Sequence, residues 1–173
     1  MQFDLRKFIV SGTKPYAAEF QCDLSAKDFA GARIEQPVTA RFEAVPDGEE
    51  IRMTLRANAL VHGECARCLD PVEREETVQA EWTVRERDLD DPDFDLPLNE
   101  KGHLDVDEWL CQEFMFQIPT VLLCSADCPG LCPRCGKKMA ECTCPPAEAE
   151  AEPADARPVS YTHLRAHETD SYL

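Results

Sequence analysis

Apolar and polar residues alternate with period two through the middle of the chain. The segments VTARFEAV (38–45) and EIRMTLRANALVHGEC (50–65) both alternate, and PDGEE (46–50) between them is typical of a turn. A third run, PVEREETVQAEWTVRER (71–87), keeps one parity apolar, as in a strand with one face in water: Val78, Ala80, Trp82 and Val84. These three runs predict an antiparallel meander.

The spacing of apolar residues becomes helical in LDVDEWLCQEFMFQIP (104–119). Asp105 suits the N-cap, Asp107 and Glu108 suit the first turn, and Pro119 ends the helix. One helix face is predicted to pack on the sheet: Val106, Trp109, Leu110 and Phe114. The same periodicity assigns four aromatic residues to the core rather than to a base-stacking surface: Trp82, Trp109, Phe114 and Phe116.

The other segments are less regular. Residues 1–34 predict irregular structure with one or two short strands, and residues 86–101 predict a loop. The acidic stretch 88–95 within that loop is typical of a solvated face, although it could also mimic RNA toward a basic partner.

The charge of the chain limits its partners. The 173 residues include 34 acidic and 18 basic residues, for a net charge of −16. A nucleic-acid backbone would be repelled by the whole chain, so any RNA contact must be local. No apolar run suits a signal peptide or a membrane span, which predicts a cytoplasmic protein without membrane contact.

Ten cysteines raise the question of metal binding, because thiols in a reducing compartment rarely form lasting disulfides. CPRCG (132–136) is a C-x-x-C turn, and CTC (142–144) follows after a short interval. Together they predict a structural zinc site with tetrahedral geometry: Cys132, Cys135, Cys142 and Cys144. Two further pairs, in CARC and CSADC, predict a possible second site: Cys65, Cys68, Cys124 and Cys128.

Other chemistries remain open for these cysteines. Cys65 and Cys68 could form a dithiol redox pair, although no amphipathic helix follows them, and four cysteines can also hold an iron–sulfur cluster. His62 could replace one cysteine ligand or be a strand histidine facing water. A hydrolase is excluded, because no serine, histidine and carboxylate arrangement and no glycine-rich phosphate loop is visible.

Three basic residues lie between the cysteines of the C-terminal cluster: Arg134, Lys137 and Lys138. They could contact an RNA phosphate backbone, with binding that weakens steeply as salt increases. They could equally serve solubility and help to keep the thiolates ionised.

These patterns predict an α+β fold with a small antiparallel β-sheet packed by one helix, followed by a C-terminal module similar to a zinc ribbon. The predicted divisions are an α+β domain (1–123), a cysteine-rich zinc module (124–144) and a C-terminal stretch (145–173). Within that stretch, the acidic, proline-punctuated linker is predicted to be disordered, and residues 157–173 resemble a non-native adapter-derived tail.

The order of these motifs resembles the YceD family, large ribosomal RNA subunit accumulation proteins. The resemblance covers residues 30–145 and is carried by GECARCLDPVE, by NEKGHLDVDEWLCQEFMFQIPTVLLC and by CPGLCPRCGKKMAECTC. It implies a non-enzymatic factor in ribosome large-subunit biogenesis. The implied partners are large-subunit rRNA or a pre-ribosomal particle and a basic ribosomal protein, with no small-molecule substrate.

Overall fold

A four-stranded antiparallel sheet forms the body of the protein. The computed structural model describes residues 1–91 and 94–145. The sheet order is β2 (Tyr16–Cys22), β3 (Val38–Asp47), β4 (Glu50–Glu64) and β5 (Pro71–Arg85). The last three are the strands that the alternation predicts, and Gly48, with φ of +67°, turns the chain between β3 and β4. One face of the sheet lies on the core and the other faces water.

A smaller sheet joins the N-terminus to the start of the long helix. Strand β1 (Gln2–Asp4) pairs antiparallel with β6 (His103–Asp105), and helix α1 (Leu5–Ser11) follows β1. The sequence predicts short strands in residues 1–34, and β1 and β2 are present there, but it does not predict α1. Leu5, Phe8 and Ile9 do have helical spacing, but the helix has seven residues, so the pattern covers only about two turns.

Helix α2 (Val106–Gln117) begins and packs as predicted. The Asp105 carboxylate accepts hydrogen bonds from the backbone N–H groups of Asp107 and Glu108, which caps the helix. Trp109 and Phe114 are buried, and the Trp109 ring meets the Phe42 ring of β3 edge-on at 6.2 Å. The α+β fold class is therefore confirmed, with a second small sheet and a second helix beyond the elements predicted.

The assignment of all four aromatic residues to the core is wrong at one position. Trp109 and Phe114 are buried, and Trp82 is half-buried with its ring 6.0 Å from that of Phe94. Phe116 is 87% exposed. It lies in the last turn of α2, where Phe114 and Ile118 are the residues buried in the core.

The segment between β5 and β6 begins with a short 3₁₀ helix at Glu86–Asp90 and then buries Leu96. Part of the predicted acidic loop, Asp93, lies outside the described residues, as do the linker and tail from residue 146 onward. No helix that the structure describes is both long and apolar enough to cross a membrane.

The chain divides into two units. Met1–Cys142 form the first unit, which contains every strand and helix described above. The second unit begins at Thr143, and only residues 143–145 of it are described. The predicted boundary between residues 123 and 124 remains a prediction.

Candidate metal centres

Eight of the ten cysteines gather into two groups of four. Within each group the sulfur atoms all lie within 4.8 Å of one another. The first cluster consists of Cys65, Cys68, Cys124 and Cys128, and the second cluster consists of Cys132, Cys135, Cys142 and Cys144. These are the two sets that the sequence spacing predicts as metal ligands, and the fold brings each set together.

The sulfur–sulfur distances fit a tetrahedral metal site. The Sγ atoms of Cys65 and Cys128 are 3.8 Å apart, and those of Cys68 and Cys124 are 3.6 Å apart. In the second cluster the Sγ atoms of Cys135 and Cys142 are 3.7 Å apart. A disulfide requires about 2.05 Å, whereas a tetrahedron with metal–sulfur bonds of about 2.3 Å has edges of about 3.8 Å. The donor set and its spacing therefore suit zinc.

The first C-x-x-C turn is a tight knuckle at the end of β4. The backbone N–H of Cys65 donates to the carbonyl of Asp70 at 2.8 Å, and the N–H of Leu69 donates to the carbonyl of Cys65 at 2.9 Å. Leu69 has φ of +62°, in the left-handed region that few side chains adopt.

The second C-x-x-C turn repeats the same geometry. The N–H of Cys132 donates to the carbonyl of Lys137 at 2.7 Å, and the N–H of Gly136 donates to the carbonyl of Cys132 at 2.8 Å. Gly136 has φ of +70° at the position that corresponds to Leu69. Two copies of one turn, each with two cysteines at the same places, argue for the same ligand chemistry at both.

Backbone N–H groups lower the pKa of the first cysteine in each knuckle, which favours the thiolate form that binds metal. The pKa of Cys65 falls to about 6, chiefly because the backbone N–H of Cys124 donates to its sulfur. The pKa of Cys132 also falls to about 6, because the N–H groups of Cys135 and Arg134 donate to it. The C-x-x-C turn predicts such backbone amides, and the cationic side chains that the sequence also suggests are not among the main causes of the lowered Cys132 pKa.

Two other thiols of the first cluster, those of Cys68 and Cys124, hold their protons more strongly. The N–H of Asp70 lowers the pKa of Cys68, but burial and the adjacent cysteine thiols outweigh it and raise the pKa to about 12. The hydrogen bond with Cys128 raises the pKa of Cys124. Metal binding at this cluster must therefore release protons.

The two clusters differ in their surroundings. Cys65, Cys68 and Cys128 are buried with Val72, against which Leu123 and Leu131 pack, so the first cluster is the centre of a small second core. In the second cluster Cys132 is buried, Cys135 is exposed, and the other two are intermediate.

Direct contacts join the two knuckles. The N–H of Leu131 donates to the carbonyl of Arg67 at 3.2 Å, and the Arg67 guanidinium donates to the carbonyl of Cys128 at 2.9 Å. The Lys138 ammonium lies 2.7 Å from the Asp70 carboxylate, and this hydrogen bond holds the pKa of Asp70 below its usual value. Lys138 is thus paired within the protein. Sequence reasoning missed the linking residues Arg67 and Asp70, because their contacts with the second knuckle are between segments far apart in the chain.

The geometry does not support the redox alternative for Cys65 and Cys68. A dithiol motif gains reactivity at the N-terminus of a helix, whereas here β5 begins at Pro71 directly after the knuckle. His62 belongs to neither sulfur group, and its Nδ1 lies 3.5 Å from the Glu73 carboxylate. The strand-histidine interpretation of His62 therefore fits better than a ligand role.

Comparison with known protein families identifies the family of the chain. A family model described as "Large ribosomal RNA subunit accumulation protein YceD" matches residues 53–165. The chain belongs to the YceD family. The span matched by the YceD model contains both cysteine clusters and α2, and it overlaps the start of segment 157–173.

Three curated mycobacterial proteins are similar to this YceD-family chain. Uncharacterized proteins of Mycobacterium bovis and of two strains of Mycobacterium tuberculosis are each 29% identical to it over 106 residues. That region is 58% of this chain and 49% of each relative, so the chain spans about half the length of the curated relatives it matches. No solved structure matches the chain.

Proposed function

We propose that this YceD-family chain is a non-enzymatic, cytoplasmic factor in ribosome large-subunit biogenesis that supports accumulation of large-subunit rRNA. One observation carries the proposal: the family match covers residues 53–165 and so includes both cysteine clusters and α2. The family description names large ribosomal RNA subunit accumulation.

Each cluster would hold one zinc ion with a structural role. Four thiolates complete the tetrahedral coordination of zinc and leave no position open for a substrate. The first ion would tie the end of β4 to a segment 56 residues further along the chain. Closing so long a loop restricts the unfolded chain, so the ion would stabilise the body of the protein.

The second cluster is the proposed point of contact with RNA, through Arg134 and Lys137 and, to a lesser extent, Lys138. The pairing of Lys138 with Asp70 reduces the charge that it offers to a phosphate group. The chain as a whole has a net charge of −16, and its acidic surface suits a basic ribosomal protein. No small-molecule substrate and no membrane are part of the proposal.

The test is sedimentation of a tagged protein with ribosomal particles. Lysate at low salt is run on a sucrose gradient, and the fractions are probed for the tag and for large-subunit rRNA. We expect the tag to migrate with immature large-subunit particles and to leave them at high salt, because phosphate contacts are screened. A tag confined to the top of the gradient at low salt would contradict the proposal.

A matched pair of variants locates the contact. The double variant Cys132→Ser with Cys135→Ser should lose co-migration, since it destroys the second cluster. Cys111→Ala, which changes a buried cysteine outside both clusters, should keep it. Equal loss in both variants would show general misfolding rather than a role for the second cluster.

A further inference from the structure

The water-exposed face of the sheet carries a row of four side chains that cross all four strands. Glu19 pairs with Arg41, Arg41 pairs with Arg56, and Arg56 pairs with Gln79 in the strand register. We call these four residues the arginine row. Arg41 and Arg56 are exposed and directly opposite each other on β3 and β4.

Two arginines in this arrangement are costly to the fold. The Cβ atoms of directly opposite residues lie about 4.5–5.5 Å apart, and like charges placed there destabilise a sheet. In a chain with a net charge of −16, a carboxylate in place of either arginine would have neutralised the other one. The repulsion is therefore a structural cost, and an anion placed between the guanidinium groups would remove it.

The other arginines on this face are neutralised. Arg52 lies 2.7 Å from the Asp47 carboxylate, and Arg85 pairs with Glu50. Arg41 lies 2.6 Å from Glu43 on its own strand, and Glu19 stands opposite it in the register. Within the described part of the chain, Arg56 forms no ion pair with a carboxylate. Among the arginines of this face that the structure describes, Arg56 is therefore the one without a carboxylate partner.

Short polar side chains surround this charge. Beside Arg56, Asn58 of β4 is paired with Thr77 of β5 in the strand register. Gln79 and Thr39 also lie around Arg56. Together with the arginines they line a shallow basin of about 500 Å³. Its described lining contains hydroxyl and amide groups that can donate hydrogen bonds, one carboxylate, that of Glu19 opposite Arg41, and no aromatic ring.

We propose that this basin binds phosphodiester groups of an RNA backbone, with Arg56 as the principal contact and Arg41 as the second. A guanidinium matches phosphate oxygens in a bidentate manner, and hydroxyl and amide side chains are common partners of phosphate oxygens. Without an aromatic platform, the basin contacts the backbone and not the bases, so binding is independent of sequence. The choice of RNA as the source of phosphate rests on the proposed function.

Fluorescence anisotropy with a labelled oligouridine of about 12 nucleotides tests the basin on the full-length, zinc-loaded chain. We expect Arg56→Gln to weaken binding about fivefold to tenfold and to reduce the slope of log K against log salt by about 0.7, the value for one lost phosphate contact in a single strand. Arg41→Gln should have a smaller effect, because Glu43 already offsets that charge. Arg52→Gln is the matched control on the same face and should bind as the wild type does.

A thermal melt of each variant separates binding from folding. Arg56→Gln should melt at the wild-type temperature or above it, because the substitution removes a repulsion. Weaker RNA binding together with an unchanged or raised melting temperature supports the proposal. Equal binding by the Arg56→Gln, Arg52→Gln and wild-type proteins overturns it.

Two further experiments distinguish the basin from another RNA-binding site and RNA from an acidic protein ligand. If Arg134→Gln with Lys137→Gln abolishes binding while Arg41→Gln with Arg56→Gln leaves it unchanged, RNA binds only at the second cluster, and the basin proposal fails while the proposed function stands. If oligoglutamate of equal charge binds as tightly as oligouridine in an Arg56-dependent manner, the basin recognises an acidic protein segment, and the RNA assignment is overturned.

Discussion

Leu69 and Gly136 occupy the same backbone position in two copies of one turn, yet only glycine suits it. Leu69 is 60% exposed, so its side chain gains little from burial. Left-handed backbone costs an L-residue about 1–2 kcal/mol, whereas glycine costs about 0.5–1 kcal/mol through the entropy of the unfolded chain. The first knuckle therefore carries strain that the second avoids.

Replacing Leu69 with glycine should relieve that strain. We expect Leu69→Gly to raise the free energy of unfolding by about 0.5–1 kcal/mol, measured by urea denaturation of the zinc-loaded protein. Gly136→Leu should lower it by about 0.5–1 kcal/mol. No atom lies within 4 Å of a Cβ built at Gly136, so the second change acts through the backbone. A loss of stability in Leu69→Gly would show that the Leu69 side chain makes a necessary contact.

The raised pKa of the Cys22 thiol predicts that the protein loses stability at alkaline pH. Burial, and then the negative charge of Asp107, raise its pKa from 9.0 to about 11. Above pH 9 the unfolded chain loses this proton while the folded chain keeps it, so stability falls as pH rises through that window. By pH 11 the loss should be on the order of 2 kcal/mol. Urea denaturation at pH 8 and pH 10.5 measures it, and Cys22→Ala should show a smaller decline. Identical pH dependence in both proteins would rule out Cys22 as the cause.

Among the elements, the strands and the long helix were predictable because each has a clear period and a clear boundary. β3, β4 and β5 alternate over many residues, and α2 has both an N-cap and a proline after its end. α1 was harder to predict, because its seven residues show the helical spacing of apolar residues over only about two turns. Packing holds it instead: the Phe8 ring lies 5.1 Å from that of Phe3.

The N-cap of α2 can be tested with two substitutions at one residue. Asp105→Ala should lower the free energy of unfolding by about 1 kcal/mol, because two backbone N–H groups lose their acceptor. Asp105→Asn keeps a capping oxygen and should lie close to the wild type. Guanidinium denaturation followed by circular dichroism measures both. If Asn proves as costly as Ala, the charge of Asp105 matters more than its capping hydrogen bonds.

At the scale of the whole molecule, two zinc ions are expected per chain, with unequal importance. Cys65→Ser with Cys68→Ser should remove one ion and lower the melting temperature strongly, because the first cluster is the centre of a buried core. Cys132→Ser with Cys135→Ser should remove the other ion with a smaller effect, since Cys135 is exposed. Elemental analysis and thermal melts measure both. Wild-type protein with one ion, or with none, would contradict the assignment.

The sequence predicted the second cluster because its C-x-x-C and C-x-C pairs lie close together in the chain. It indicated the first cluster only as a possible site, because Cys68 and Cys124 lie 56 residues apart. It did not predict how the two knuckles join, because Leu131 meets Arg67, and Lys138 meets Asp70, only after β4 and β5 have paired. The arginine row was not predictable from the sequence for the same reason, because Arg41 and Arg56 become neighbours only through the strand register. Long-range pairing is the information that a single sequence contains least directly.

The separation of the first cluster into two halves also has a consequence for synthesis. Cys68 leaves the ribosome 56 residues before Cys124, which is about 3–11 s at ~5–20 residues per second. During that interval β4 and β5 can pair, but the thiols of the first knuckle have no partners to complete a metal site. A growing chain of this protein therefore exposes two thiols of the proposed metal site to oxidants and to metals until residues 124–128 emerge.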